Sequence, residues 1–251
     1  MLEMIACMMG QVRVAIVSDV HGNLVALEAV LRDLEAQAPD LVLHGGDLAL
    51  AGPRPAEVVD RVRELGWPGV IGNTDEVPWN PSLEESVRAS APRLQRWLDT
   101  MFGRLGPWAA ERLGEERLAW LHALPAQHDE EALRLIHASP GNLWRAPAPD
   151  ASPEELAETY GRLGGDLAVY GHIHRPFVTE TDRLTVANSG AAGFPWDGDP
   201  RASYLLVDDG RPAVRRVPYD VEAARRDAWQ AGHPLPDWLG DVYASGTFTA
   251  P

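Results

Sequence analysis

Side chains that bind metal ions follow several apolar runs of this sequence, at the point where each run ends. In the octet IVSDVHGN (16–23), the apolar residues give way to Asp19 and His21. The same change recurs along the chain, and the seven side chains concerned are Asp19, His21, Asp47, Asn73, His137, His172 and His174. Nitrogen and oxygen ligands without cysteine suit divalent Mn, Fe, Zn, Co or Ni. Seven ligands are too many for one ion, and they fit two ions that share a bridging carboxylate.

Each motif of this pattern is weak evidence for a metal site when taken alone, but the combination is strong evidence. An Asp-x-His triplet occurs by chance in many chains, and a single histidine such as His137 more often packs in a core than binds a metal. Glycines, however, directly precede three of the candidates, in Gly46-Asp47, Gly72-Asn73 and Gly171-His172. A residue without a Cβ lets the backbone approach a crowded centre closely. The joint pattern therefore predicts one metal centre.

Strands and helices alternate in the first part of the chain. RVAIVS (13–18), DLVLHGGD (40–47) and GVIGN (69–73) are predicted strands, and the two segments between them have helical spacing, with Asn23 as the N-cap of the first helix. This order predicts a parallel sheet whose carboxyl strand ends, and hence the ligands, lie along one edge. Asp19 and His21 should point the same way from an extended segment, as should His172 and His174.

The rest of the chain predicts a helical insert and further strands. Residues 76–127 contain Trp79, Trp97, Trp108 and Trp120, which we expect to pack rather than to stack on a ligand. After the insert come a strand ending at 137, a helix over 153–163, a strand ending at 172 and two hairpins, the second turning at 209–210. In the tail, 221–251, we expect one helix and then a poorly ordered end. The whole chain is predicted to be one domain.

Composition and charge limit the class of protein. The chain has 251 residues, 45% of them hydrophobic, which is enough for a sizeable core. The net charge of -15 argues against broad binding to nucleic acids or to anionic membranes. The single cysteine, Cys7, excludes an internal disulfide and fits a reducing cytoplasm, where we expect the protein to act.

The sequence predicts neither a signal peptide nor a membrane span. MLEMIACMMGQ (1–11) lacks a basic region and its apolar run is broken, so we expect a tail rather than a signal peptide. No apolar run is long enough to span a bilayer. The sequence gives no indication of the oligomeric state.

The motifs resemble those of the calcineurin-like metallophosphoesterases. The family pattern is D-x-H, GD, GN-H-[DE], H and GH-x-H, and this chain has DVH, GGD, GNTD, IHASP and GHIH in the same order. The match runs from about Val12 to Val217, and the flanks GPRPAEVV, HASPGNLW and NSGAAGFPWDGDPRASY resemble a compact bacterial branch of phosphodiesterases and phosphatases. The resemblance implies an α/β fold in which helices flank a two-sheet β-sandwich, with the insert where family members vary.

The resemblance also implies a role for each candidate. The seven ligands would divide between two metals: Asp19, His21 and His174 at the first, Asn73, His137 and His172 at the second, and Asp47 bridging both. A hydroxide between the metals would be the nucleophile of a phosphate-ester hydrolase acting on a small phosphorylated substrate. The implied catalytic residues are Asp47, Asn73, Thr74 and Asp75, and the implied substrate contacts are Asn23, Asn73 and His172.

Thr74 departs from the family pattern, which commonly has histidine there. A threonine hydroxyl can donate a hydrogen bond, but it cannot act as a general acid at neutral pH. The missing general acid should slow the hydrolysis of substrates with good leaving groups least, which slightly favours phosphodiesters as substrates. In the family pattern the residue at position 75 is the partner of that histidine. Because this chain has no histidine at position 74, we expect Asp75 to form hydrogen bonds with the loop backbone instead. His44, His122 and His128 are candidate replacement acids, although ordinary packing or exposure is the better interpretation of each.

Several alternatives stay open at this stage. The chain could be a phosphomonoesterase or a serine/threonine protein phosphatase, or a non-catalytic metal-binding scaffold. Arg54 and Arg175 could bind a phosphate oxygen, although a surface role is the better interpretation of Arg175. The substrate should be selected by the insert and by the loops 143–151 and 190–200.

Overall fold

The computed structural model describes residues 12–251. The segment 1–11, for which we predicted a tail, lies outside the described residues, and so does Cys7. In the part that the structure describes, no helix has both the length and the apolar character that a membrane span requires.

Within these residues the chain forms two sheets and eight α-helices. The strands are β1 (Val14–Val17), β2 (Leu41–His44), β3 (Gln127–Glu130), β4 (Leu133–Ile136), β5 (Leu167–Tyr170), β6 (Phe177–Glu180), β7 (Thr185–Asn188), β8 (Ala202–Asp208) and β9 (Arg211–Val217). The helices are α1 (Leu24–Gln37), α2 (Pro55–Leu65), α3 (Leu83–Ser90), α4 (Gln95–Thr100), α5 (Gly106–His122), α6 (Pro153–Tyr160), α7 (Val221–Gln230) and α8 (Pro236–Ser245).

The two sheets pack face to face. The first has the strand order β2-β1-β8-β9 and the second β3-β4-β5-β7-β6. β1 and β2 are parallel, as are β4 with β5 and β5 with β7, whereas the remaining pairs are antiparallel. Apolar side chains of both sheets, such as Ile16, Leu43, Leu135, Val169 and Leu205, form one buried cluster between them. The predicted sandwich fold is confirmed.

Helices cover the outer faces of both sheets. The apolar face of α1 packs in one cluster with Ala15 and Val17 of β1, and Leu156 and Tyr160 of α6 pack against the second sheet. The side chain of Asn23 accepts a hydrogen bond from Ala26 N at 3.1 Å, which caps α1. Buried helix faces therefore hold the strands, and with them the strand ends, in place.

The region 76–127 is mostly helical. α4 continues through a wide turn at Met101–Leu105 into α5, whose regular course is interrupted at Gly114, where φ is 64°. Trp97, Trp108 and Trp120 are partly buried against the large core cluster. The helices thus form a layer that is packed against the first sheet and its ligand-bearing edge.

Three details differ from the sequence prediction. GVIGN is not a strand: only Gly69 bridges to His44, while Ile71 N donates to Pro125 O. His44 N donates to Pro68 O and Val70 N donates to His44 O, so the segment runs parallel to the end of β2 for a single bridge and then leaves it. β3 was not predicted because its sequence, QHDE, is polar, as edge strands can be. The tail carries α8, which buries Leu239, Val242 and Tyr243 where we expected a poorly ordered end.

Candidate metal centre

The candidate ligands leave their strands in a left-handed backbone conformation. Nine described residues other than glycine have positive φ, and five of them are candidate ligands: Asp19 (55°), His21 (48°), Asp47 (52°), His172 (65°) and His174 (54°). We expected such pairs to point the same way because their segments are extended, and that reason is wrong. Tight turns bring them together, at a cost of roughly 1 kcal/mol for each left-handed residue.

Backbone hydrogen bonds between neighbouring loops maintain these turns. Asp19 N donates to Gly46 O at 3.0 Å, and His21 N donates to Asp47 O at 2.9 Å. The loops after β1 and β2 are therefore tied together residue by residue. The strain at Asp19 and His21 is offset by these bonds between the loops that carry the ligands.

One group of ligands comprises Asp19, His21, Asp47 and His174. Each of the four offers one ligand atom within 4.8 Å of the others, and all four side chains are buried. His174 Nε2 lies 3.1 Å from Asp19 Oδ1 and 3.2 Å from His21 Nε2. The structure thus gathers the predicted ligands of the first metal.

A second group lies next to the first. Asn73 Oδ1 is 2.9 Å from His137 Nε2 and 2.8 Å from His172 Nδ1. Asp47 Oδ2 lies 3.5 Å from His137 Nε2 and also 3.5 Å from His21 Nε2. The carboxylate of Asp47 therefore stands between the two groups, where a bridging ligand would have to be.

Backbone carbonyls orient three of the four imidazole rings. His21 Nδ1 pairs with Leu50 O at 2.5 Å, His174 Nδ1 with Phe194 O at 2.5 Å and His137 Nδ1 with Gly45 O at 2.8 Å. If each Nδ1 carries the proton and donates it, the lone pair of each Nε2 faces the other ligands. This arrangement is common among histidines that bind metals.

The donor set fits a bound metal cation. The carboxylates of Asp19 and Asp47 are buried, and among the described residues only histidines lie within ion-pair distance of them. Two buried carboxylates without a lysine or arginine partner are costly unless a cation neutralises them. Carboxylate, carboxamide and imidazole ligands together suit a divalent transition metal.

The pKa shifts in the cluster agree with this donor chemistry. Burial alone would raise the pKa of Asp19, but His174 and His137 together outweigh it, and the net shift is downward. The pKa of Asp47 is also lowered, against the effect of burial, by His137 and His21. Burial lowers the pKa of His21, and it lowers that of His172 to about 4. Ionised carboxylates and neutral imidazoles are the forms that bind metals.

His137 is the exception in this cluster. Burial disfavours its charged form, but the carboxylates of Asp47 and Asp19 outweigh burial and raise the pKa of His137 to about 10. A protonated imidazole has no free lone pair and cannot ligate through either nitrogen, so binding of a cation by His137 requires the loss of one proton.

Thr74 and Asp75 follow Asn73 in a short 3₁₀ turn. Thr74 N donates to Asp47 Oδ1 at 2.8 Å, while the Thr74 hydroxyl is buried and has no hydrogen-bond partner among the described residues. Asp75 accepts from three backbone amides, those of Leu48, Ala49 and Gly72. Burial, with the charge of Asp47, raises the pKa of Asp75 to about 7. Asp75 thus joins two ligand-bearing loops.

Asn23 is engaged within the protein. Its Oδ1 caps α1, and its Nδ2 donates to Gly193 O at 3.0 Å. These bonds use both ends of the carboxamide, and Asn23 does not line the cavity at the ligands. The predicted capping role is observed, and the predicted phosphate contact of Asn23 stays a prediction.

The other candidates for proton transfer or phosphate binding do not line this cavity either. His44 is buried beside Trp120, and His122 packs against Trp79 with ring centroids 4.3 Å apart. His128 belongs to β3. Arg54 is paired with Asp227 at 2.6 Å, and Arg175 is exposed.

A cavity of about 180 Å³ opens onto both groups of ligands. Asp47, Asn73, Thr74 and His172 are among its lining residues, and the rest of the lining is mostly apolar. The aromatic side chains Trp144, Phe194 and Trp196 of this wall lie in the loops 143–151 and 190–200, which we expected to select the substrate. Their individual positions were not predicted, although the flanks HASPGNLW and GFPW place a tryptophan close to ligand motifs.

A two-sheet sandwich with a histidine and carboxylate cluster at its strand ends defines a metallohydrolase type of fold and site. Comparison with known proteins identifies the family. The calcineurin-like phosphoesterase superfamily domain matches residues 12–210, and the chain belongs to this family. The protein is accordingly a metal-dependent phosphoesterase.

Relatives of known sequence or structure agree with this assignment. An uncharacterized protein of Methanocaldococcus jannaschii is 29% identical, over 91% of this chain and 96% of its own length. Phosphodiesterase YfcE of Escherichia coli K12 is 26% identical, over 76% of this chain and 85% of its own. The crystal structure of a metallophosphoesterase from Sphaerobacter thermophilus is 29% identical, covers 95% of this chain and 100% of that one, and has a TM-score of 0.77. A hypothetical protein from Pyrococcus horikoshii, 19% identical over 95% of this chain and 100% of that one, has the same fold, with a TM-score of 0.81.

Proposed function

We propose that the protein hydrolyses phosphate esters with two divalent metal ions and prefers diesters. The observation that carries this proposal is the position of Asp47 Oδ2, 3.5 Å from His21 Nε2 on one side and 3.5 Å from His137 Nε2 on the other. A carboxylate between two sets of buried ligands supports a bridging role. Asp19, His21 and His174 would then hold one ion, and Asn73, His137 and His172 the other.

The bound ions would supply positive charge to phosphate oxygens and lower the pKa of a water molecule, which can then attack phosphorus near neutral pH. The residues of the chain hold the parts of the site in position. Backbone carbonyls fix three imidazole rings, and Asp75 ties the loop of Asp47 to that of Asn73. Little reorganisation is then needed when a substrate binds.

The phosphate would lie where the cavity meets the ligands. Asn73, Thr74 and His172 border the cavity there, and we assign Asn73 and His172 to substrate contact as well as to metal binding. The Thr74 hydroxyl lacks a partner among the described residues, so it can donate to an ester oxygen. A small phosphorylated molecule fits this enclosed site, and a net charge of -15 disfavours a nucleic-acid backbone.

The preference for diesters depends on Thr74. An alkyl leaving group needs a proton, and a threonine hydroxyl is too weak an acid to supply it at neutral pH. Good leaving groups depart without such help. The relative that is named a phosphodiesterase, YfcE, supports the same preference.

The test combines metal analysis with a panel of esters. Purified protein is loaded with Mn²⁺, Fe²⁺, Zn²⁺, Co²⁺ or Ni²⁺, its metal content is measured, and hydrolysis of bis-p-nitrophenyl phosphate is compared with that of p-nitrophenyl phosphate and an alkyl monoester. We expect two metal equivalents and faster hydrolysis of the diester. Asp47→Asn should lose at least about a hundredfold in activity, as changes at metal sites do. Asp182→Asn, at an exposed position in the turn between β6 and β7, is the matched control.

Each alternative predicts a different result. Less than one metal equivalent with no hydrolysis of any ester would favour a non-catalytic scaffold. Faster hydrolysis of the alkyl monoester than of the diester would contradict the diester preference and favour a phosphomonoesterase. Selective hydrolysis of phosphoserine or phosphothreonine peptides would favour a protein phosphatase.

A further inference from the structure

The cavity at the candidate ligands has an apolar wall built by the helical insert. Its floor consists of ligand side chains, and its wall includes Leu94, Trp97, Leu98 and Met101 from the insert, faced by Trp144 and Trp196. A phosphate held at the floor would project its ester group toward this wall. The apolar lining of the wall should therefore help to determine which ester group the site accepts.

The three tryptophans of the wall are fixed by contacts outside the cavity. Trp97 packs against Phe248, with ring centroids 5.2 Å apart, and Trp196 packs against the same Phe248 at 4.7 Å. Trp144 Nε1 donates to Glu76 Oε2 at 3.4 Å. Aromatic surfaces that are already held in place bind a flat group with little loss of side-chain entropy.

The lining carries no side chain suited to a second phosphate. No lysine or arginine is among the described residues that line the cavity, and Arg145, which donates to Ser90 O, lies outside the lining. A polyphosphate chain would need such cations along its length. The ester group is therefore expected to be uncharged.

The size of the cavity limits the ester group further. An apolar cavity of about 150 Å³ holds one benzene ring. The cavity here measures about 180 Å³, which leaves room for a single ring. Trp196 Nε1 and the Thr74 hydroxyl have no partner among the described residues, so they can donate to a polar atom of the bound group.

We propose that this cavity binds an aryl-sized, uncharged group, so that the substrates are esters of a single phosphate carrying an aromatic ring. This inference rests on the proposed function, because it takes the phosphate to be held at the ligands. The helical insert, rather than the ligand motifs, then determines which ester is accepted.

Two phosphonates that differ only in the organic group test the inference by binding alone. Phenylphosphonate and methylphosphonate contain a carbon–phosphorus bond that a phosphate-ester hydrolase does not cleave, and calorimetry of the Mn²⁺-loaded protein measures their affinities. Burial of the ring should make phenylphosphonate bind at least about tenfold more tightly. Equal affinities would overturn the inference.

Variants of the cavity wall locate the preference. Ala91 lines the cavity, so Ala91→Leu should fill it and reduce the preference for phenylphosphonate to less than about threefold, with the affinity for methylphosphonate unchanged. Ala89→Leu, at an exposed position of α3, is the matched control. Trp97→Ala should also reduce the preference for phenylphosphonate. Ala91→Leu removes no aromatic ring, so Ala91→Leu still tests the cavity if Trp97→Ala fails to fold. A preference that survives Ala91→Leu overturns the inference.

The result also separates this inference from the proposed function. A preference for phenylphosphonate in a protein that hydrolyses none of the esters would support the aryl site and contradict the hydrolase. Hydrolysis of the esters without a preference for phenylphosphonate would leave the hydrolase and overturn the aryl site.

Discussion

The imidazole of His174 lies against the indole of Trp196, with ring centroids 3.9 Å apart and planes inclined by 28°. On its other side, His174 Nδ1 pairs with Phe194 O at 2.5 Å. The segment 194–196 therefore fixes this candidate ligand by both packing and hydrogen bonding, and it determines where His174 Nε2 points.

Loss of the Trp196 ring should weaken metal binding without removing a ligand. We expect Trp196→Ala to lower the affinity for Mn²⁺ by about tenfold, the lower end of the effect of residues that orient a metal ligand. Trp196→Phe keeps an aromatic face and should retain most of the affinity. Calorimetric titration with Mn²⁺ measures both, with Trp229→Ala as a control, because Trp229 is 61% exposed. Wild-type affinity in Trp196→Ala would show that the stack does not orient His174.

Thr74 offers a direct test of leaving-group chemistry. Thr74→His restores the residue of the family pattern, and a histidine can act as a general acid near neutral pH. We expect the rate on alkyl monoesters, relative to that on bis-p-nitrophenyl phosphate, to rise at least about tenfold. Steady-state kinetics on both substrates measure the ratio.

Thr74→Val is the control for this substitution, because it keeps the shape of the side chain and removes the hydroxyl. We expect it to lower hydrolysis of the diester while leaving the ratio of the two substrates unchanged. A ratio that stays constant in Thr74→His as well would mean that position 74 does not determine the preference.

The identity of the candidate ligands could be predicted from the sequence because aspartate, asparagine and histidine side chains offer the oxygen and nitrogen atoms that bind metal ions. Asp19 and Asp47 follow strands of the first sheet and His137 follows a strand of the second, and the carboxyl ends of these strands meet at the same end of the sandwich. The backbone at these ligands could not be predicted. A left-handed conformation at Asp19 depends on its hydrogen bond to Gly46, a residue on another loop.

The segments that build the cavity wall could be predicted, but the contacts between their side chains could not, for a similar reason. Trp97 and Phe248 are far apart in the chain, and only the packing of α8 and the residues after it brings them together. The composition of GVIGN predicts a strand, whereas the segment pairs with β2 only at the bridge between Gly69 and His44, and Ile71 N then donates to Pro125 O. Local patterns carry little information on contacts between distant segments.

Gly193 allows two segments of the site to touch. A Cβ at this position would overlap the carbonyl oxygen of Val20, and Gly193 N donates to Asp19 O at 3.0 Å. Gly193→Ala should therefore lower the free energy of unfolding by about 2 to 3 kcal/mol and weaken Mn²⁺ binding, because the loop of Asp19 must shift. Urea denaturation and metal titration measure the two effects.

Gly103 provides a matched control for Gly193. It is exposed, in the helical turn that follows α4, and a Cβ there would contact nothing within 4 Å. Gly103→Ala should leave metal binding unchanged and stabilise the fold by up to about 1 kcal/mol, since alanine favours helix. Equal stability of the two variants would contradict the close approach at Gly193.

His44 should make the protein sensitive to acid. Its ring is buried, and neither ring nitrogen has a hydrogen-bond partner among the described residues. Burial, together with the charge of His128, lowers the pKa of His44 to about 3. In the unfolded chain the pKa is near 6.5, so the unfolded state takes up the proton first as the pH falls. The free energy of unfolding should therefore decrease from about pH 6.5 down to about pH 3.

The substitution His44→Leu should remove this part of the pH dependence, because leucine fills a similar space and binds no proton. At pH 5, which is 1.5 units below the pKa of the unfolded chain, protonation of His44 in the unfolded state lowers the free energy of unfolding by about 2 kcal/mol. Between pH 7 and pH 5 the free energy of unfolding of His44→Leu should therefore fall by about 2 kcal/mol less than that of the wild type. Urea denaturation at both pH values measures the difference, with His122→Gln, at an exposed position, as the control. Other buried histidines, including His21 and His233, remain in both proteins, so only the difference between them is assigned to His44. The same loss of stability in wild type and His44→Leu would mean that His44 is not the group that titrates.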